Sequence, residues 1–387
     1  MSPDRPTKTI LFAGGGTGGH LFPGVALAEE FLARRPEWRV VFAGTERGLE
    51  ARVIPELGWP LVSLDVYGLV GIGGRRRLKA LFNLPRALVQ ALILLVRYRP
   101  SLIVGLGGYA SAPVLAAAVI GGVPFVLQEQ NAFPGVVNRL LAPFAARIYT
   151  AFPEAQKRLY SRRIENCGNP LRRQTENAGG RDEAALEPSP EPGSFNLLVV
   201  GGSQGARVLN RVVPAAIRDL AEQFSGLRVV HQSGYREFES VAKAYDGLAE
   251  RVEVVDFIAD IGPRYGWADL VISRAGALTL AELAAMGKPA ILVPFPFAAH
   301  DHQSCNANSV ATAGAAWMCP EEEFTPERLA RDLKTLMAAP EKLQTMAAAA
   351  RKLARPGARQ QIVERCLELL GCQDGREDAG AAGQVKQ

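Results

Sequence analysis

The chain has little that could hold a fold together covalently or through a metal. Its five cysteines, Cys167, Cys305, Cys319, Cys366 and Cys372, are odd in number and form no C-x-x-C pair. That argues for a reducing compartment and against a disulfide framework or a zinc site. The four histidines, His20, His231, His300 and His302, include no H-E-x-x-H. No run of about 20 apolar residues occurs, so no segment reads as a membrane span. The N-terminus is polar and the first apolar run is short, which reads against a signal peptide.

What is present describes a globular protein. Hydrophobic residues make up 48% and charged residues 21%, unlike a disordered chain. At 387 residues the chain implies two domains. The net charge of +5 is uneven, with a formal +9 on residues 1–170 and −4 on the rest. One half is therefore expected to meet an anionic partner.

Short apolar runs alternate with helical patterns. Thr9–Ala13, Arg39–Ala43, Leu102–Val104 and Pro124–Gln128 read as strands, and Gly24–Arg34 as a helix. Such alternation implies parallel βαβ units. Residues 176–194 are rich in Gly, Pro and acid and read as a linker. Phe195–Val200 then opens a second series, with strands at Arg228–His231, Val252–Val255, Leu270–Ser273 and Ala290–Val293 and a helix at Val208–Leu220. Pro340–Leu370 reads as helical and residues 371–387 as a disordered tail. The expectation is an α/β protein of two doubly wound domains facing a cleft.

The first strand runs into Gly14-Gly-Gly-Thr-Gly-Gly-His20. A glycine loop between strand and helix points N–H groups at an anion, with the helix dipole behind them. The chain is therefore expected to handle phosphate. The loop contains G-x-G-x-x-G, yet the next strand ends in Gly44-Thr45 rather than in a ribose-binding acid, which weakens a dinucleotide reading. His20 is equally a helix-end histidine or a general base. A second unit, Gly201-Gly-Ser-Gln-Gly-Ala206, echoes the first.

Ser273–Glu282 follows a strand and enters a helix. Thr279 and Glu282 have capping-box spacing. Alternatively, free N–H groups near Gly276–Leu278 meet a pyrophosphate and Glu282 accepts from a ribose diol. Arg274 is either a solvated charge or a phosphate partner. His300, Asp301 and His302 adjoin one another in a loop, an arrangement that seldom converges on a metal. Sugar recognition by His302 and Gln303 is favoured over metal binding. The stretch Arg75–Arg86 mixes cations with Leu81 and Phe82. It reads either as a helix with a solvated basic face or as a membrane-surface patch of Arg75, Arg76, Arg77, Lys79, Leu81 and Phe82. Nucleic acid is disfavoured there because aromatic platforms are sparse. The adjoining Ala87–Val96 reads as core.

Seven motifs occur in one order: Gly14–His20, Gly107-Gly-Tyr-Ala-Ser111, Glu129-Gln-Asn131, Gly168-Asn-Pro-Leu-Arg172, Gly201–Ala206, Arg274–Thr279 with Glu282, and Asp301-His-Gln303. Over about residues 8–370 the chain resembles the MurG family of bacterial peptidoglycan N-acetylglucosaminyltransferases. The resemblance implies the GT-B architecture, two Rossmann-like domains around a cleft. It places an acceptor and membrane domain at 1–170, completed by a C-terminal helix at 341–370. A linker at 171–194 and a UDP-GlcNAc domain at 195–340 follow.

The implied reaction moves GlcNAc from UDP-GlcNAc to the muramyl 4-hydroxyl of lipid I, giving lipid II with inversion, without metal or cofactor. The implied place is the cytoplasmic face of the bacterial plasma membrane, on an anionic surface beside cell-wall synthesis and division proteins. By the same resemblance, His20 is the base and Thr17, Gly18 and Gly19 adjoin the acceptor. Asn131 lies at the cleft. Arg172 and Ser203 approach the UDP phosphates, and Ile258 packs at the uracil near Arg274. Ala277, Leu278 and Thr279 present a helix start to the pyrophosphate. Glu282 takes the ribose, while His302 and Gln303 take the sugar. Gln128 departs from the pattern, where a His often stands. A GT-B transferase with another lipid acceptor, or a non-catalytic nucleotide-binding module, is the alternative.

Overall fold

The computed structural model describes residues 8–46, 48–66, 74–173, 175–176, 193–202 and 205–372, and of residues 74–82 only the backbone. Seven strands form the first sheet: β1 (Thr9–Gly14), β2 (Arg39–Gly44), β3 (Leu61–Ser63), β4 (Leu102–Gly107), β5 (Phe125–Glu129), β6 (Arg147–Thr150) and β7 (Ile164–Asn166). Six form the second: β8 (Phe195–Val200), β9 (Leu227–Gln232), β10 (Val252–Val255), β11 (Leu270–Ser273), β12 (Ala290–Leu292) and β13 (Ala316–Met318). Their orders are β3-β2-β1-β4-β5-β6-β7 and β10-β9-β8-β11-β12-β13, and every recorded pairing is parallel.

Parallel sheets are covered on both faces, so their strands are continuous apolar runs. All six residues of β1, β4 and β8 are accordingly buried. Phe12 stacks on Phe42 with ring centres 4.9 Å apart. The helix Gly18–Arg34 buries Leu21, Val25, Ala28 and Phe31, one face at helical spacing, over the same core.

In both sheets the order reverses beside the first strand of the series, between β1 and β4 and between β8 and β11. Ligands of open parallel sheets gather outside the strand ends at such switch points. The glycine loop after β1 stands at one and Arg274–Thr279, after β11, at the other.

The helix after β1 starts at Gly18, six residues before the Gly24 the pattern implies. The N–H groups of His20 and Leu21 both reach the Thr17 carbonyl, so the glycine-rich, proline-containing stretch is helical despite its composition. Pro340–Leu370 is two helices rather than one, Pro340–Leu353 and Ala358–Leu369. Pro356 and Gly357, at φ +76°, break the run. The first of the two packs on the helix Ala277–Ala285 of the second half, and the second packs on Gly18–Arg34. A buried ion cluster fixes it there. Arg359 Nε lies 3.2 Å from Glu30 and its Nη2 3.0 Å from Glu176. The expected linker falls largely, and the expected tail almost wholly, outside the described residues.

Candidate active site

Gly14, Gly15 and Gly16 all adopt positive φ, and the loop does meet an anion. That anion belongs to the protein. The buried carboxylate of Glu50 accepts from the Gly16 N–H at 2.8 Å and from the N–H and hydroxyl of Thr45 at 3.0 and 2.9 Å. A Cβ on Gly15 would stand 2.3 Å from that carboxylate, and one on Gly48 2.1 Å. These glycines make room for Glu50, so the Gly16 N–H has an acceptor within the protein. The helix start beyond it remains open, with Thr17 and Gly19 exposed and Gly18 half-buried.

His20 sits on the opening turn of that helix, its ring against Gly107 and Gly108 at the end of β4. Both glycines have positive φ, and a Cβ on either would lie 3.4–3.5 Å from the ring. A side chain at 108 would also stand 3.0 Å from the Gly15 carbonyl. Nδ1 of His20 lies 2.9 Å from Oε1 of Gln130. His231, by contrast, is fully buried between Tyr245 and Asn210. Burial lowers its pKa to about 3, so it is a neutral packing residue.

Glu129 organises the loop that follows β5. Its carboxylate accepts from the N–H groups of Asn131 and Gly135, both at 3.0 Å, and from the Asn138 amide at 2.8 Å. This loop joins the two halves. Asn306 accepts from the Ala132 N–H at 2.8 Å, and its amide donates to Asn131 at 3.1 Å and to the Ala275 carbonyl at 3.2 Å. Asn169 donates to the carbonyls of Gln130 and Ala277 at 3.2 and 3.1 Å. Phe133 stacks on His300 with ring centres 5.8 Å apart.

From the second sheet, the helix Ala277–Ala285 enters this junction through Gly276, with no side chain capping it. The capping box is therefore not formed. Thr279 lies inside the first turn and the Glu282 carboxylate turns away to accept from the Tyr265 hydroxyl at 3.1 Å. The N–H groups of Ala277, Leu278 and Thr279 lack intrahelical acceptors by position. Desolvation raises the Glu282 pKa to about 7, against the lowering effects of Tyr265 and of the Arg172 cation. Arg172, carried by the first half, lies over the Phe22 ring at 4.9 Å. Ile258 is half-buried and packs against the core of the second half. A cavity of about 510 Å³ is lined by Asn169 and by Ala277, Leu280, Ala281 and Ala284 of this helix, and includes neither His20, Arg172 nor Glu282 in its walls.

Arg274 is neither solvated nor unpaired. It meets Glu321 at 2.6 Å and donates to the carbonyls of Val293 and Pro294 at 3.1 and 3.2 Å. It anchors the Phe295–Phe297 loop, whose Phe295 N–H also reaches Oε1 of Gln303 at 3.0 Å. His302 pairs through Nδ1 with the Ala299 carbonyl at 2.8 Å. His300 and Asp301 both hold φ +54°, a costly conformation for residues with side chains. Among the described residues no group of three or more His, Cys, Asp or Glu has metal-binding geometry.

Ser203 lies outside the described residues. Arg75, Arg76, Arg77, Lys79, Leu81 and Phe82 belong to the helix Gly74–Tyr98, but their side chains are likewise outside. Further along that helix the core expectation for Ala87–Val96 is half right. Ala87, Ala91, Leu94 and Leu95 are buried, whereas Val89, Ile93 and Val96 are 54%, 61% and 73% exposed. No helix among the described residues is long and apolar enough to cross a membrane.

Two Rossmann-type sheets, each with a loop at its switch point and a junction between them, define the GT-B architecture. The chain matches the glycosyltransferase family 28 N-terminal domain over residues 10–150 and its C-terminal domain over 196–362. Relatives named UDP-N-acetylglucosamine–N-acetylmuramyl-(pentapeptide) pyrophosphoryl-undecaprenol N-acetylglucosamine transferase include one from Myxococcus xanthus, 45% identical over 93% of each chain. Another, from an Anaeromyxobacter species, is 46% identical over 96% of this chain and 97% of the relative. The crystal structure of Acinetobacter baumannii MurG superposes with a TM-score of 0.75 at 31% identity, covering 93% of this chain and 99% of that one. The chain belongs to the MurG family of N-acetylglucosamine transferases.

Gln130, Asn169, Asn306, Glu50 and Tyr265 were given no role by sequence reasoning. Gln130 and Asn169 lie inside recognised motifs, which was a usable signal. Glu50 and Tyr265 lie in none.

Proposed function

We propose that this chain transfers GlcNAc from UDP-GlcNAc to the muramyl 4-hydroxyl of lipid I, undecaprenyl-pyrophosphoryl-MurNAc-pentapeptide, producing lipid II by a single inverting displacement that needs no metal. The observation that carries this is the junction itself. A histidine from one sheet and an uncapped helix start from the other meet through Asn169. His20 takes the proton from the acceptor hydroxyl as it attacks the anomeric carbon. The N–H groups of Ala277, Leu278 and Thr279, aided by Arg172, receive the charge that develops on departing UDP.

Glu282 binds the ribose diol and Ile258 packs at the uracil. His302 and Gln303 receive the sugar hydroxyls, Asn131 borders the acceptor side of the cleft, and Thr17, Gly18 and Gly19 receive the acceptor. Ser203 approaches the donor phosphates. Arg274 acts indirectly, by holding the Phe295–Phe297 loop. The basic first half and the exposed Val89, Ile93 and Val96 support docking of that half on an anionic membrane surface, the cytoplasmic face where lipid I is presented.

The test is UDP release from UDP-GlcNAc in EDTA, with and without a short-chain lipid I analogue. Release that depends on the analogue supports the reading. UDP binding without such release would move the assignment to another acceptor or to a nucleotide-binding module. His20→Ala should lower turnover about 10²–10⁴-fold while UDP affinity holds, and normal turnover would remove His20 as the base.

A further inference from the structure

The groups behind His20 form a chain of amides in which no orientation is free. Asn169 Nδ2 lies 3.2 Å from the Gln130 carbonyl and 3.1 Å from the Ala277 carbonyl. Carbonyls only accept, so the amide nitrogen of Asn169 faces them and its oxygen faces Gln128, whose Nε2 donates at 3.1 Å. The Gln128 oxygen is thereby turned to Nε2 of Gln130. That same Nε2 donates to the Leu106 carbonyl at 2.9 Å, which fixes the Gln130 amide independently. Gln130 Oε1 is left facing Nδ1 of His20 at 2.9 Å. An amide oxygen cannot donate, so in the neutral ring Nδ1 carries the proton and Nε2 the lone pair.

We infer that Gln130, held by Gln128 and Asn169, is a positioning residue that fixes His20 in the Nδ1–H tautomer and keeps Nε2 free as the proton acceptor. The inference rests on the assignment of His20 as base. Which ring nitrogen is protonated is set by the bond the other one makes, and a base in the wrong tautomer cannot take a proton. Gln128, Gln130 and Asn169 are all buried, and the Asn169–Ala277 end of the chain borders the cavity of about 510 Å³. The chain ends on the carbonyl of Ala277, the first residue of the uncapped helix, and thus spans the junction. Its final bond, Asn169 to Ala277, is the one that separation of the two halves would break.

Long-range ¹⁵N–¹H spectra of the full-length wild-type enzyme test this directly, because only four histidines contribute and His20→Ala identifies the fourth set of signals. Above the titration of the ring, His20 is expected as the Nδ1–H tautomer, and an Nε2–H tautomer overturns the proposal. Gln130→Met, which removes the acceptor, is expected to redistribute the tautomers. It should also lower kcat about 10- to 100-fold with the UDP dissociation constant unchanged. An unchanged tautomer, or a kcat within twofold of wild type, overturns it. Normal turnover in His20→Ala sinks the base assignment instead, and leaves the tautomer measurement to be judged alone.

Discussion

The hydroxyl of Tyr265, itself fully buried, donates to Oε2 of Glu282 at 3.1 Å. Desolvation outweighs this bond and the Arg172 charge, so the Glu282 carboxyl is raised to about 7. A carboxyl raised on folding stabilises the native state below its ordinary value of 4.5 and loses that contribution as pH climbs through 7. The ligand-free enzyme is therefore expected to lose stability between pH 5 and 8, and Glu282→Gln to lose less. Thermal melts of both proteins at the two pH values measure this, and parallel losses would contradict it. With donor present, Glu282→Ala should raise the UDP-GlcNAc KM, by a hydrogen-bond loss of about 1.5–3 kcal/mol.

Glu50 accepts from the Gly16 N–H and from the N–H and hydroxyl of Thr45 beneath the first glycine loop. Glu50→Ala leaves the N–H groups of Gly16 and Thr45 without an acceptor, at about 1–3 kcal/mol each when buried. Gly15→Ala sets a methyl against the carboxylate and strains a backbone at φ +152°. Both should lower the urea midpoint and kcat together, because the helix that carries His20 starts on this loop. A Glu50→Ala protein of wild-type stability would show that the carboxylate is a bystander.

Arg359 is 3% exposed between Glu30 and Glu176. Removing one partner of a buried ion pair costs about 3–5 kcal/mol when a charge is left uncompensated; here Glu176 loses the Arg359 cation, while Glu30 keeps Arg34 at 2.9 Å. Arg359→Met should therefore destabilise the protein strongly and free the helix Ala358–Leu369 for proteolysis. A cost below about 1 kcal/mol would mean that water reaches the cluster.

The membrane patch read from Arg75–Phe82 continues along the same helix as the exposed Val89, Ile93 and Val96. Ile93→Glu, and separately charge reversal at Arg75, Arg76 and Arg77, should each reduce co-sedimentation with anionic vesicles while leaving soluble-substrate turnover intact. Unaltered sedimentation of both proteins would place the docking surface elsewhere.

Nine of the thirteen described strands were legible because a strand covered on both faces is a largely apolar run, as in Thr9–Gly14 and Phe195–Val200, whereas β3, β6, β7 and β13, of only three or four residues, did not stand out. The loops at the switch points were legible because their motifs follow such strands. The helix start at Gly18 was not, since glycine and proline oppose helix locally and only packing of Leu21 and Val25 overrides them. Val89, Ile93 and Val96 were misjudged because their composition matches the buried residues between them, and helical phase alone separates the two sets.

By itself the sequence determined the parallel α/β class, the two series of strands, the motif set that carries the family, and some of the residues gathered at the junction, Asn131 and Ala277 among them. Those follow from local hydrophobicity and spacing. Only the tertiary structure decided what the polar groups are bonded to. Glu50 fills the glycine loop, Arg274 answers Glu321, Glu282 turns to Tyr265, and Gln130 faces His20. Each of these bonds joins residues from different segments of the fold, and a hydrogen bond depends on where the fold brings its two ends.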